Sequence, residues 1–132
     1  MTTRRDLLKM ATLLGAPTAL RALSDAPQPK TLLILGGTGF IGPHLTEEAQ
    51  SRGWRVTHFN RGKTSASALP GVETLLGDRK GQLGALHGRR WDAVVDDTGY
   101  IPKYVKMSAE LLAPNVDFCL FISSISEFRD AE

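Results

Sequence analysis

Apolar residues fall along this chain in short runs separated by segments with helical spacing. Leu32 to Leu35 are four consecutive apolar residues, which suits a strand buried on both faces of a parallel sheet. From Pro43 to Arg52 the spacing changes: Ile41, Leu45 and Ala49 recur at i, i+4 and i+8, predicting a helix that Gly53 stops. Trp54 to Phe59, imperfectly alternating, is the second predicted strand, and Val72 to Leu76 the third. Between Lys80 and Gly88 Leu83 and Leu86 make the whole apolar face among several glycines, so any helix there is short and weak. Trp91 to Asp96 supplies a fourth strand. Tyr104 to Ala113 is a helix with a Val105, Ala109, Leu112 stripe closed by Pro114, and Phe118 to Ile122 is a fifth strand. Strands and helices in alternation predict an α/β fold, an incomplete doubly wound parallel sheet with strand order 3-2-1-4-5.

Glycines separate the first strand from the first helix: Gly36-Gly37-Thr38-Gly39-Phe40-Ile41-Gly42. Strand, glycine turn and helix in this order form the layout of a dinucleotide-binding βαβ unit. The early glycines permit a tight turn, Gly39 lets backbone N–H groups approach a pyrophosphate, and Gly42 lets the helix pack closely. The helix N-terminus favours the phosphate charge.

The ends of the later strands carry the other candidates. The second ends in Asn60-Arg61-Gly62, about twenty residues past the glycines, where such units place an acidic residue on the adenosine ribose. No carboxylate stands there. Arg61 suits a 2′-phosphate, which tilts the cofactor toward NADP over NAD, while Asn60 suits a free 2′-hydroxyl. Asp78, after the third strand, reads from the residues alone as a helix N-cap. Asp96 and Asp97 end the fourth strand, but neighbours on a strand point to opposite faces and do not converge on one atom. Thr98 and Gly99 beyond them are placed along the cofactor path.

The spacing Gly36-x-x-Gly39-x-x-Gly42 with Phe40-Ile41 inside it resembles the extended short-chain dehydrogenase/reductase family, the NAD(P)-dependent epimerases and dehydratases. The resemblance runs from about Thr31 to Phe128 and covers the first half of that family's domain. It implies hydride exchange on a nucleotide-sugar-like or hydroxy/keto substrate, a contact of Asp78 with the adenine, and a catalytic serine at Ser124 within Ser123-Ser124-Ile125-Ser126-Glu127-Phe128. Where the family has tyrosine, this chain has Phe128. The family's base is a tyrosine with a lysine four residues on, the ammonium lowering the phenol's pKa. Here Tyr100 is followed at that spacing by Tyr104, and Tyr104 by Ser108. The 132 residues are therefore expected to be inactive alone, as the N-terminal part of an enzyme. A dinucleotide-binding module without catalysis, or an inactive remnant, are the alternatives; a small-molecule substrate requires a longer chain.

Composition narrows the partners. Of the net charge of +2, the first 24 residues hold +3 (Arg4, Arg5, Lys9 and Arg21 against Asp6), leaving −1 and no basic stripe for nucleic acid. Thr3 to Lys9 resembles a twin-arginine export motif. The uncharged stretch from Met10 to Leu20 has the length of a signal core and is too short to span a bilayer. Small residues at Ala22 and Ser24 place cleavage before Asp25, so an exported product is expected, with a cytoplasmic protein as the alternative. Residues 25–30 read as a linker and 31–132 as the N-terminal part of a Rossmann-type domain. Cys119, the single cysteine, is assigned to the core, and the three histidines show no metal-ligand spacing.

Overall fold

The computed structural model describes residues 28–63 and 69–123. The proposed export segment at 1–24 and Ser124 to Phe128 lie outside the described residues. The strands are β1 (Thr31–Leu35), β2 (Arg55–Asn60), β3 (Glu73–Leu76), β4 (Trp91–Asp96) and β5 (Val116–Phe121). The helices are α1 (Gly42–Ser51) and α2 (Pro102–Leu112), with 3₁₀ turns at Gly84–Leu86 and Ala113–Asn115. All strands pair in parallel in the order β3-β2-β1-β4-β5, as the alternation of strands and helices predicts.

β1 is central, with Thr31 to Leu35 opposite Arg55 to Phe59 on one side and Leu32 to Leu35 opposite Ala93 to Asp96 on the other. Its side chains feed two cores. Leu33 and Leu35 join Phe59, Leu75, Leu83, Leu86, Trp91, Val94 and Leu112 on the α2 face. Leu32 and Ile34 join Ala49, Val56, Ala93 and Val95 on the α1 face. Register is pinned at the strand starts, where the Thr31 amide and hydroxyl donate to Asp92 at 2.6 and 2.7 Å and the Asp92 amide donates back to Thr31 Oγ1 at 3.0 Å. The Thr31 hydroxyl, followed by its amide, holds the Asp92 carboxyl below its ordinary range.

Three sequence expectations are corrected. In α1 the buried residues are Gly42, Thr46 and Ala49; Leu45 is half-buried and Ile41 is exposed, so the inner stripe is rotated from the apolar one. In α2 Ser108 and Leu112 are buried while Ala109 is exposed. In both helices a hydroxyl reaches the inner face because it donates to a carbonyl one turn back: Thr46 to Gly42, and Ser108 toward Tyr104. Cys119 is exposed and is not a core residue. It lies on β5, which has β4 on one side and no further strand among the described residues, and Phe118 and Leu120 are likewise exposed.

Leu33 is fully enclosed. Leu33→Ala should lower unfolding stability by roughly 3 kcal/mol in denaturant melts, while Leu76→Ala, at the exposed end of β3, should change it by less than about 0.5 kcal/mol. Equal effects would mean that β1 is not the centre of the core.

Candidate functional site

The C-terminal ends of β1, β2, β3 and β4 border one cavity of about 270 Å³. Its lining includes Gly36 and Thr38 from the turn after β1, Asn60 and Arg61 after β2, Asp78 after β3, and Thr98 after β4. With Gly99, which also lines it, seven of the residues assigned to the cofactor from the sequence thus meet in one place. Gly37, Gly39, Phe40, Ile41 and Gly42 complete the turn without lining the cavity, and Phe40 is almost fully exposed.

The turn is shaped by what presses on it. Gly36 and Gly37 both have positive φ, +115° and +69°, which L side chains rarely adopt. A Cβ on Gly36 would overlap the Asp97 carboxylate and Thr98, and one on Gly37 would lie 2.7 to 2.8 Å from the His58 ring. A Cβ on Gly42 would overlap the backbone of Gly37, so this glycine seats the helix against the turn itself and not against the strand. Around Gly39 a Cβ would meet nothing within 4 Å. The space there is open, as a group approaching the backbone from outside requires. Helix α1 starts beside it with no side-chain cap, leaving its first N–H groups to an outside acceptor.

His58 supports the turn from beneath. It is buried, its Nε2 lies 2.7 Å from Thr46 Oγ1, and that hydroxyl donates to the Gly42 carbonyl at 2.7 Å. A hydroxyl has one hydrogen, so the imidazole Nε2–H donates to Thr46. Burial pushes the His58 pKa below 6.5.

Asp96 and Asp97 diverge, as strand geometry requires. Asp96 is buried on the α2 side and takes both ends of the Arg79 guanidinium, Nη1 to Oδ1 at 2.7 Å and Nη2 to Oδ2. Asp97 turns toward the glycine turn, where its Oδ1 is buried without a hydrogen-bond partner. Burial raises the Asp97 pKa; the Gly37 amide opposes the shift, and the neighbouring Asp96 charge adds to it. Asp78 caps no helix: its Oδ1 accepts the Lys80 amide at 3.0 Å, closing a tight turn, and its carbonyl accepts the Gln82 amide. Asn60 Oδ1 accepts the Gly62 amide at 2.9 Å in the same manner. Arg61, Lys63 and Lys80 line the cavity with no ion-pair partner among the described residues. Arg79, which sequence reasoning passed over, is held by Asp96. A buried aspartate at the end of an apolar strand needs a cationic partner, and that was the available signal.

A family model described as "NAD dependent epimerase/dehydratase family" matches residues 32–118. The chain belongs to the NAD dependent epimerase/dehydratase family. Among curated proteins it is 31% identical over 124 residues to the chloroplast stem-loop binding protein of 41 kDa b of Arabidopsis thaliana, covering 82% of this chain and 32% of that protein. It is also 34% identical over 64 residues to the decarboxylating sterol-4-alpha-carboxylate 3-dehydrogenase of Bos taurus, covering 48% of this chain and 17% of that protein. The chain thus spans a third or less of these relatives. Its fold matches a UDP-galactose 4-epimerase at TM-score 0.65 and 20% identity, over 77% of this chain and 41% of that one. It also matches a short-chain dehydrogenase from Leptospira borgpetersenii serovar Hardjo-bovis with bound NAD+, at TM-score 0.61 and 18% identity, over 83% and 57% of the two chains. The family is NAD-dependent, and the glycine turn fits a nicotinamide dinucleotide: it leaves Gly39 open, presents an uncapped helix end, and lies beside a cavity edged with cations that have no ion-pair partner among the described residues.

Because the folded His58 pKa is lowered, the unfolded chain binds the extra proton first as pH falls. The contribution of His58 to stability should be complete above about pH 6.5 and should decline as pH drops below that value. Chemical denaturation at pH 7.5 and pH 5.5 measures the slope, and His58→Gln should flatten it. An unchanged slope in that variant would rule out His58 as its source.

Proposed function

We propose that this chain holds NADP(H), or with lower affinity NAD(H), across the ends of β1 and β4, as the cofactor-binding part of an epimerase, dehydratase or reductase acting on a nucleotide-sugar-like or hydroxy/keto substrate. The single observation that carries this reading is the open, uncapped glycine turn beside a cavity with three cations, Arg61, Lys63 and Lys80, at one end that have no ion-pair partner among the described residues. Amides at the α1 N-terminus, around Phe40 and Ile41, hold the pyrophosphate past Gly39. Asp78 accepts from the adenine amino group at the end of β3. Arg61 pairs with a 2′-phosphate, while the Asn60 amide nitrogen serves a ribose hydroxyl, since its oxygen is engaged by Gly62. Thr98, whose hydroxyl donates to the Leu35 carbonyl at 3.2 Å, borders the path from β1 to β4. The bound nicotinamide supplies hydride exchange.

Ser124 keeps the role of orienting the substrate oxygen, three residues after β5 ends. Neither tyrosine has a lysine four residues on, so apart from Ser124 the part of these 132 residues in the chemistry is to bind and orient the cofactor. The first 24 residues serve as a twin-arginine export signal, a route that carries folded proteins and so suits a domain loaded with its cofactor beforehand. Intact mass of the native product tests this last point: a chain beginning at Asp25 supports export, and retention of Met1 to Ser24 opposes it.

Calorimetric titration of the purified chain should give tighter binding of NADP than of NAD. Gly39→Asp should abolish binding of both while changing stability by less than about 0.5 kcal/mol, because a side chain there meets open space. Arg61→Ala should weaken NADP about tenfold, the size of one lost charge-assisted contact, and leave NAD within about twofold. Equal losses for the two cofactors would take Arg61 away from the 2′-phosphate.

A further inference from the structure

We propose that Arg79 is a positioning residue that fixes the distance between the adenine-side turn after β3 and the turn after β4, so that both halves of one dinucleotide fit at once. The inference rests on the dinucleotide reading above and concerns how its two subsites are aligned. The turn from Gly77 to Gln82 is internally braced. Asp78 Oδ1 accepts from Lys80, the Asp78 carbonyl accepts from Gln82, and the Gly77 amide donates to the Asn60 carbonyl. None of these contacts reaches β4. Arg79 does.

Its guanidinium forks onto both Asp96 oxygens, Nη2 also donates to Ser108 Oγ of α2 at 2.8 Å, and Nη1 lies 3.5 Å from Thr98 Oγ1. From Asp96 the connection continues. Asp96 Oδ1 accepts the Thr98 amide at 3.2 Å, Thr98 Oγ1 donates to Leu35, and Gly36 presses so closely on Asp97 and Thr98 that a Cβ would overlap them. A chain of direct contacts therefore runs from the adenine-side turn through Arg79 and Asp96 to the start of the glycine turn. The pair is enclosed, with side-chain exposures of 14% for Arg79 and 6% for Asp96, so water does not loosen the fork as it would at the surface. A planar guanidinium on a carboxylate fixes orientation as well as distance, which a lysine would not.

Subsite alignment and simple stability leave different signatures. AMP lacks the nicotinamide half and makes no demand on the turn after β4, whereas NADP must satisfy both turns. Removing one partner of an enclosed ion pair strands the other, so the informative variant is Arg79→Met combined with Asp96→Asn, which leaves no buried charge and keeps an oxygen for the Thr98 amide. Arg79→Lys is carried beside it. NADP affinity of the full chain is measured by calorimetry and AMP affinity by NMR titration, well below the melting temperature. In the double variant NADP should weaken about tenfold or more while AMP changes less than about threefold, and Arg79→Lys should show the same split at smaller size. Parallel losses for the two ligands, or unchanged NADP affinity in either variant, would overturn the inference. A wild-type chain that binds neither ligand would instead overturn the dinucleotide reading itself.

Discussion

The dryness of β1 constrains everything else. Leu32 to Leu35 are almost completely enclosed on both faces, between β2 and β4 and under two separate cores. Along the strand no polar group can be left without a partner, so chemistry is confined to its ends. At the N-terminal end Thr31 and Asp92 satisfy each other and set the register. At the C-terminal end the chain must leave the sheet at once, and two positive-φ glycines take it out. Their lack of side chains is then a packing requirement. Asp97, Thr98 and His58 occupy the volume that Cβ atoms would need. The turn is therefore held in shape before any ligand arrives, which reduces the ordering cost of binding.

Most of the fold was legible because its signals are local. The run Leu32 to Leu35, the glycine spacing and the strand at Trp91 to Asp96 each announce an element within ten residues, and parallel pairing follows from their alternation with helices. The strand ends carrying Asn60, Arg61, Asp78 and Thr98 converge for the same reason: in a parallel sheet every C-terminal end is on one side. What escaped was polar burial. Thr46 and Ser108 face inward because each satisfies its hydroxyl against its own helix and a partner from the sheet side, His58 or Arg79. A hydropathy stripe scores those positions as outward and selects Leu45 and Ala109 instead. Cys119 was misjudged for the converse reason: an apolar run predicts burial, yet among the described residues nothing covers β5. The roles of Ser124 and of the first 24 residues belong to chain that the structure does not describe.

Adjacent carboxylates at the end of β4 resolve the last question, how a site next to two acidic residues accommodates a phosphate anion. Asp96 points to the α2 face, where the Arg79 fork compensates its charge. Asp97 points toward the glycine turn, where burial raises its pKa and the Gly37 amide opposes the shift. With Arg79 bound to Asp96, the cations left to face a ligand are Arg61, Lys63 and Lys80, on the side of the cavity after β2 and β3. Asp78 is the acidic residue among them, and its carboxylate is partly committed to the Lys80 amide. The charge around the cavity thus has a direction: three cations stand on the side after β2 and β3, while along the turn α1 supplies uncapped amides in place of a formal positive charge. Room for a pyrophosphate beside two aspartates thus depends on the Arg79 fork: a lysine at position 79, unable to fork onto Asp96, would leave that carboxylate less well compensated.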